Sequence, residues 1–378
     1  MKTHLNGRAL KDFQNRMLEW FREQQRDLPW RASRDPYRIW IAEVMLQQTR
    51  IAAVMPYYQR FLNRFPDVRS LARARQADVL KQWSGLGYYS RARNLHGAAK
   101  QIVAKHDAQF PRELKDALDL PGIGVYTAAA VLSIAYDVPL AVLDGNVARV
   151  LARVSAIRGD LRAPTTWSLL TKMASRLLTQ QHASNWNQSL MELGEVICTP
   201  QSPRCKICPV RRWCQAYALG LRNQIPAPRR KRAVIKVKIA AAILLDPEGR
   251  TLLVKDPGAH DEVLFSRMWQ FPAVEVKQKP KEALAAHLRS ISAANGTLTL
   301  EALPAARHGV TFRNIALLPF LARVSQLPKL ARARIVPLDD IAKLPISSAT
   351  RKIAAAVPSP QHQANRSTAS TISSVVAR

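Results

Sequence analysis

Along the first part of this chain, apolar residues recur three and four positions apart, with polar residues between them. ADVLKQWSGL (77–86) and NVARVLARV (146–154) show this spacing, which is that of one face of a helix. The pattern continues from Phe13 to Ala218, broken at Pro121-Gly122 and Asp144-Gly145. It predicts a mainly α region over residues 13–224, preceded by a flexible N-terminus over 1–12. IPAPRRKR, starting at Ile225, is proline-rich and basic without apolar periodicity, and predicts a linker over 225–237. Residues 239–245 and 251–254 then flank Asp246-Pro247-Glu248-Gly249, a turn sequence, and predict a hairpin. A helix over 281–292 and a strand over 315–324 complete an α+β domain over 238–357. The remainder, 358–378, is rich in Ser, Ala and Gln and is predicted to be a disordered tail.

A chain of 378 residues is expected to form two domains rather than one core. Charge narrows the partners. Lys plus Arg number 57 against 27 Asp plus Glu, a formal net charge of +30, which calls for a polyanion and first of all nucleic acid. A basic housekeeping protein of the ribosomal type has the same property, so charge alone leaves that reading open. MKTHLNGRALKDF lacks the apolar stretch of a signal peptide, and no apolar run approaches the roughly 18 residues that span a bilayer. A soluble, cytoplasmic, nucleoid-associated monomer with no membrane partner is expected.

Cys198, Cys205, Cys208 and Cys214 fall in the order C-x6-C-x2-C-x5-C. Four thiols this close suit one tetrahedral metal ion or one cubane cluster. Zinc sites more often use two close pairs, and only one is present, so the spacing favours a 4Fe-4S cluster in a loop over 198–214. Arg204, Lys206, Arg211 and Arg212 on this loop suit phosphate contacts, although any one of them reads equally well as a solvated cation.

Leu120-Pro121-Gly122-Ile123-Gly124 separates two helical stretches. Gly122 and Gly124 let the backbone approach a ligand closely, and the helix predicted to begin near Val125 offers free N–H groups to an anion. This suits a helix–hairpin–helix arrangement for holding a DNA phosphate, although many helix pairs turn on glycine and the motif gains weight only from what surrounds it.

LPGIG, LDGNVARV (143–150) and the cysteine spacing together resemble the endonuclease III superfamily of DNA glycosylases over about residues 10–220. WIAEVMLQQT (40–49), GLGYYSRARNL (85–95) and the extra α+β domain are similar to the MutY-type adenine DNA glycosylases. The resemblance implies two helical lobes with an iron–sulfur cluster loop, DNA and a base pocket between the lobes, and a Nudix-like C-terminal domain. The implied partner is double-stranded DNA containing adenine mispairs.

Cutting an N-glycosidic bond calls for an acid at the base and an anion at the sugar, the two-carboxylate logic of glycoside hydrolysis. By helical periodicity Glu43 shares a polar face with Leu46, Gln47 and Arg50, opposite Ile41, Val44, Met45 and Ala52, and is an ordinary solvated carboxylate. The resemblance instead makes it the acid that protonates adenine N7 and helps activate water, which requires a raised pKa. Asp144, before Gly145, reads as a helix N-cap. The resemblance adds the role of stabilising the sugar cation or bonding to it transiently. Tyr126 stands where lyase-competent relatives carry lysine, and a phenol forms no Schiff base, so hydrolysis without efficient strand cleavage is expected.

The resemblance also implies that Arg31, Gln188 and Asn146 surround a flipped adenine, with Leu46 walling the pocket. Gln48 and Tyr88 are implied to be wedges in the base stack, and Thr49 to contact the partner base. KPKEALAAHLRSISAANG has one Glu and lacks the glutamate cluster of a true Nudix hydrolase, so metal-dependent hydrolysis is not expected. WQFP (269–272) matches the family, whose C-terminal domain reads 8-oxoguanine, but Phe312-Arg313-Asn314 replaces its Phe-Ser-His loop. Phe312 and Asn314 are the implied contacts there. Two other readings remain at this point: a bifunctional pyrimidine glycosylase and lyase, and a non-catalytic DNA-binding protein on the same scaffold.

Overall fold

A computed structural model describes residues 5–227, 233–255, 268–291, 298–310, 312–330 and 332–358. Helices α1 (Gly7–Gln24), α2 (Pro36–Leu46), α3 (Ile51–Arg64), α4 (Val68–Arg73), α5 (Gln76–Trp83), α6 (Tyr89–Lys105), α7 (Leu114–Leu118), α8 (Val125–Tyr136), α9 (Gly145–Val154), α10 (Pro164–Leu177), α11 (Ala183–Val196) and α12 (Gln215–Ala218) come first. They are followed by β1 (Ile235–Leu245), β2 (Arg250–Lys255), β3 (Trp269–Gln270), β4 (Ala273–Glu275), α13 (Pro280–Ile291), β5 (Glu301–Ala302), β6 (Ala306–Val310), β7 (Arg313–Arg323), β8 (Ala333–Pro337) and α14 (Ser348–Ala354). The chain divides into two compact units. One comprises Met1–Ala74 and Arg91–Lys231, the other Arg75–Ser90 and Arg232–Arg378.

The helical unit is organised around α8. Its sequence, VYTAAAVLSIAY, is apolar on nearly every side, and residues from Thr127 to Ala135 are buried. A helix apolar all round belongs inside a core. The small side chains of Ala128, Ala129 and Ala130 admit close neighbours, and α2 and α11 pack against this helix. Asp137 ends the helix in the left-handed conformation (φ 58°), and its carboxylate accepts from Ser184 N (2.8 Å) near the start of α11. Around α1, Phe13 and Trp186 meet edge to face at 6.0 Å, a geometry that adds about 0.5–1.5 kcal/mol beyond area burial. Helix α11 crosses α9 at Gly194, where a Cβ would lie 2.8 Å from Asn146 Cβ.

The N-terminal expectation is corrected. Leu5 is buried in the core and α1 starts at Gly7, so residues 5–12 are structured rather than flexible. The local composition is polar, but tertiary packing overrides it. The linker is also shorter than predicted. Ile225 is buried, with its carbonyl accepting from Arg153 Nε (2.7 Å), and β1 begins at Ile235. Residues 228–232 and the predicted tail after Pro358 lie outside the described residues.

In the second unit the hairpin appears where predicted, β1 pairing with β2 through Leu245 and Thr251. Gly249 turns with φ +73° and Arg250 donates to the Asp246 carboxylate (2.7 Å). The sheet order is β3-β2-β1-β7-β5, with β4 on β1, β6 on β7 and β8 on β2. Its centre is a parallel pair, β1 with β7, in register from Ile235–Arg313 to Leu245–Arg323. Alternate side chains of β1 enter opposite layers: Ala241 and Ile243 pack with Ile341, Ala349 and Ile353, whereas Ala240, Ala242 and Leu244 pack with Leu284 and Leu288 of α13. Within the same unit α5 and the loop after it are tied to residue 346. Ser84 Oγ donates to Ile346 O (2.6 Å), Tyr89 OH donates to the same carbonyl (3.3 Å), and Arg351 Nη2 donates to Ser84 Oγ (2.7 Å).

Gly194→Ala is expected to destabilise the helical unit by about 1–3 kcal/mol, because the methyl group has no room beside Asn146. Denaturant unfolding of the variant against the wild type measures this.

Candidate active site

The connection between α8 and α11 brings three helices to one cavity. Glu43 comes from α2, Tyr126 from the first turn of α8, and Gln188, Met191 and Glu192 from one face of α11. Asp144 enters as the N-cap of α9, its Oδ1 accepting from Val147 N (2.7 Å). The cavity has a volume of about 560 Å³. Nine residues singled out from sequence line it: Arg31, Glu43, Leu46, Gln48, Thr49, Tyr126, Asp144, Asn146 and Gln188.

Glu43 is only 6% exposed, which corrects the solvated face that periodicity predicted. Helix α2 has no polar side to set against an apolar one, since every residue from Ile39 to Met45 is buried. It also ends at Leu46, so Gln47, Arg50 and Ala52 do not share its wheel. Tyr126 OH donates to Glu43 Oε2 at 2.9 Å. Burial pushes the Glu43 carboxyl up to about 7; the Tyr126 hydrogen bond opposes the rise, Asp144 adds to it and Arg31 opposes it. Burial likewise raises Asp144, against the Val147 N–H, the Arg149 guanidinium and the Asn146 N–H. The N-terminus of α9 supports a negative charge at this position. Burial and the two carboxyls hold the Tyr126 phenol well above its usual range, so it remains a donor.

Sequence reading missed the charge network beneath Gln188. Glu192 has a side chain 1% exposed and binds two guanidiniums. Arg26 Nε and Nη2 donate to its two oxygens at 2.6 and 2.9 Å, and Arg31 Nη2 donates at 2.8 Å. Arg31 Nε in turn donates to Gln188 Oε1 (3.2 Å). The one available signal was spacing: Gln188 and Glu192 stand four residues apart on a helix and share a face. Asn146 accepts from Arg149 Nη2 (2.9 Å) and donates to Glu195 (3.3 Å), two further residues the sequence did not single out.

Gly122, Gly124, Tyr88, Phe312 and Asn314 do not line this cavity. Gly122 turns with φ +76°, and a Cβ there would sit 2.5 Å from Asn94. After it, Gly124 is the N-cap of α8 and no side chain caps that end, leaving its N–H groups available. Gln48, exposed at the cavity, has φ 58°, and Tyr88 has φ 48°. Non-glycine residues held there cost on the order of 1–3 kcal/mol and cluster at working sites. Tyr88 belongs to the other compact unit, as do Phe312 and Asn314. Phe312 is exposed, Arg313 lies over its ring at 5.9 Å, and Asn314 is on β7 opposite Gly309.

The four cysteines form no disulfide with one another and are half-buried. Among the described residues no three His, Cys, Asp or Glu side chains form a group that suits a single metal ion. The thiols do act on one another. Burial pushes Cys208 up to about 12, and Cys198, Cys214 and Cys205 add to the rise. Buried Arg153 donates to Cys198 Sγ (3.3 Å) and to the carbonyls of Cys198, Thr199 and Pro200, placing a cation where thiolates would form. Four clustered thiols beside a buried cation fit a group that is held by thiolates. Arg204, Lys206, Arg211 and Arg212 are all exposed on this loop.

The family described as HhH-GPD superfamily base excision DNA repair protein matches residues 41–174. The adenine DNA glycosylase of Mus musculus is 42% identical over 224 residues, 57% of this chain and 44% of that protein. The adenine DNA glycosylase of Buchnera aphidicola subsp. Schizaphis graminum is 32% identical over 274 residues, 72% of this chain and 78% of that protein. The chain thus spans less than half the length of the mouse relative. Among solved structures, a thermostable thymine-DNA glycosylase superposes with a TM-score of 0.50 at 28% identity, covering 56% of this chain and 97% of its own. No helix among the described residues is long and apolar enough to cross a membrane.

Tyr126→Phe is expected to move the Glu43 titration above about 7, because the lost hydrogen bond favours the carboxylate. The carbon-13 shift of the Glu43 carboxyl, followed against pH in both proteins, checks the sign.

Proposed function

This chain belongs to the adenine DNA glycosylase family, and we propose that it removes adenine from mispairs in duplex DNA by hydrolysing the N-glycosidic bond. The observation that carries the reading is Glu43. It is a buried carboxyl raised to about 7, in one cavity with a second carboxyl, Asp144. Near neutral pH such an acid still holds its proton and gives it up readily. The target base must leave the stack to be reached, and a cavity of about 560 Å³ is of the size that takes a small molecule.

Glu43 gives its proton to adenine N7, the electrons of the C1′–N9 bond pass to the base, and neutral adenine leaves. Asp144, anchored by the Val147 N–H, faces the sugar cation, and water completes the sugar as its proton returns to Glu43. Two anionic charges at once would oppose each other in this cavity, so protonation of Glu43 also relieves Asp144. The same logic assigns hydrolysis without efficient strand cleavage. Tyr126 carries no amine, and among the described residues lining the cavity there is no lysine. Arg31, Gln188, Asn146 and Leu46 surround the base, Gln48 and Tyr88 enter the stack, and Thr49 meets the partner base. The uncapped start of α8 after Gly122 and Gly124 holds a phosphate. In the Nudix-like second domain, Phe312 and Asn314 read 8-oxoguanine opposite adenine.

The four cysteines hold a 4Fe-4S cluster that fixes the loop carrying Arg204, Lys206, Arg211 and Arg212 for backbone contact. When bound, the cluster supplies rigidity and positive surface rather than a step in the reaction.

Single-turnover excision from duplexes with adenine opposite 8-oxoguanine, guanine, cytosine and thymine tests the proposal. The first two are expected to react, and Glu43→Gln to lower their rates by at least about 100-fold. Equal rates for the variant and the wild type would make this a DNA-binding protein, and borohydride trapping of a protein–DNA adduct would make it a lyase. Separately, the purified protein is expected to contain iron with broad absorption near the violet edge of the visible range, lost in Cys208→Ser. Stoichiometric zinc without iron would refute the cluster.

A further inference from the structure

We propose that Glu192 is a positioning residue for excision: its single buried carboxylate locks Arg26 and Arg31 into one rigid fork on the cavity wall. The inference rests on the glycosylase reading above and concerns Glu192 and Arg26, to which that reading gave no part. Glu192 sits on α11, 166 and 161 positions from its two partners, so no local preference brings them together. Its Oε1 accepts from Arg26 Nε (2.6 Å) and also from Arg26 N (3.3 Å). Its Oε2 is shared, taking Arg26 Nη2 at 2.9 Å and Arg31 Nη2 at 2.8 Å. A second tie closes the unit, Arg31 Nη1 donating to Arg26 O at 3.1 Å. Both guanidiniums line the cavity, and Arg31 also lies 5.3 Å over the Phe21 ring.

Two consequences follow for the base. The first is orientation. Arg31 Nε occupies Gln188 Oε1, and Gln188 Nε2 faces Ser184 Oγ at 3.3 Å, so the amide has one settled direction. Glu192 therefore acts through Arg31 on a side chain at the base edge. The second is charge. Two guanidiniums share one carboxylate, and Arg31 stands close enough to Glu43 to favour its ionised form. Burial works to raise Glu192, but the Arg26 and Arg31 hydrogen bonds outweigh it and hold its carboxyl below the usual range. It thus stays ionised through the pH range in which Glu43 titrates, and offsets the arginines throughout. The other groups around Glu43 are Tyr126 on α8, Asp144 and Arg149 on α9, Glu195 on α11, and Arg50 beyond the end of α2. Arg91 of α6 donates to the carbonyls at that same end.

The test compares wild type with Glu192→Gln, Glu192→Asp and Arg26→Gln. Each is followed for excision of adenine opposite 8-oxoguanine against pH, for carbon-13 titration of Glu43, and for melting. Glu192→Gln keeps the shape and removes the charge. It is expected to slow excision on the order of 10–100-fold by misplacing Arg31 and Gln188. It should also shift the alkaline limb of the rate profile and the Glu43 titration to lower pH by about one unit, because uncompensated cations draw off the Glu43 proton. Glu192→Asp restores the charge but not the reach, so the limb is expected to return while the rate stays reduced. Arg26→Gln leaves the carboxylate in surplus and should shift Glu43 the opposite way, to higher pH. That variant decides the question if Glu192→Gln does not fold.

A uniform loss of rate with no movement of limb or titration would reduce Glu192 to ordinary scaffold and overturn the proposal. So would a shift of the same sign in Glu192→Gln and Arg26→Gln. Should the wild type excise nothing, the glycosylase reading fails. The Glu43 titrations would still decide whether Glu192 sets the charge on this wall.

Discussion

Everything at this site depends on keeping a carboxylic acid out of water. Withdrawing Glu43 into a helical interior is costly if it is charged, and the cost is what makes its proton available near neutrality. The arrangement works because the surroundings are fixed before any ligand arrives. The apolar body of α8 supplies the dry wall, Tyr126 gives the carboxylate one donor, and the N-terminus of α9 takes up the second acid. Glu192, Arg26 and Arg31, which also line the cavity, are paired with one another. An active site of this type is mostly electrostatic preorganisation, and the residues that touch no substrate maintain it.

How much of this was legible in the sequence depends on the range of the interaction. The turn at Gly122, the start of α8, the cap at Asp144, the β1–β2 hairpin and the helix near residue 281 all rest on contacts within a few positions, and each was read correctly. Glu43 shows where local reasoning fails. The wheel assumed a longer helix with a wet side, whereas α2 is short and enclosed all round, so its pattern carries no information about facing. The motif similarity asked instead for a raised pKa at Glu43, and burial raises it.

What stayed hidden was formed by residues far apart in the chain. Arg26 and Glu192 look like ordinary surface charges in sequence, with nothing nearby to mark them as partners. The parallel pairing of β1 with β7 had no signal either, since each strand reads the same whichever neighbour it takes. Residues 75–90 likewise read as one more helical segment among many, yet they group with the C-terminal unit.

That last grouping bears on how the protein can be divided. A cut in the basic stretch after Ile225 would seem to release two self-sufficient pieces. The carbonyl at Ile346 and the guanidinium of Arg351 would go with one fragment, while Ser84 and Tyr89, which they hold, would go with the other. Such a cut would part these hydrogen-bonded partners, because the C-terminal compact unit is discontinuous along the chain.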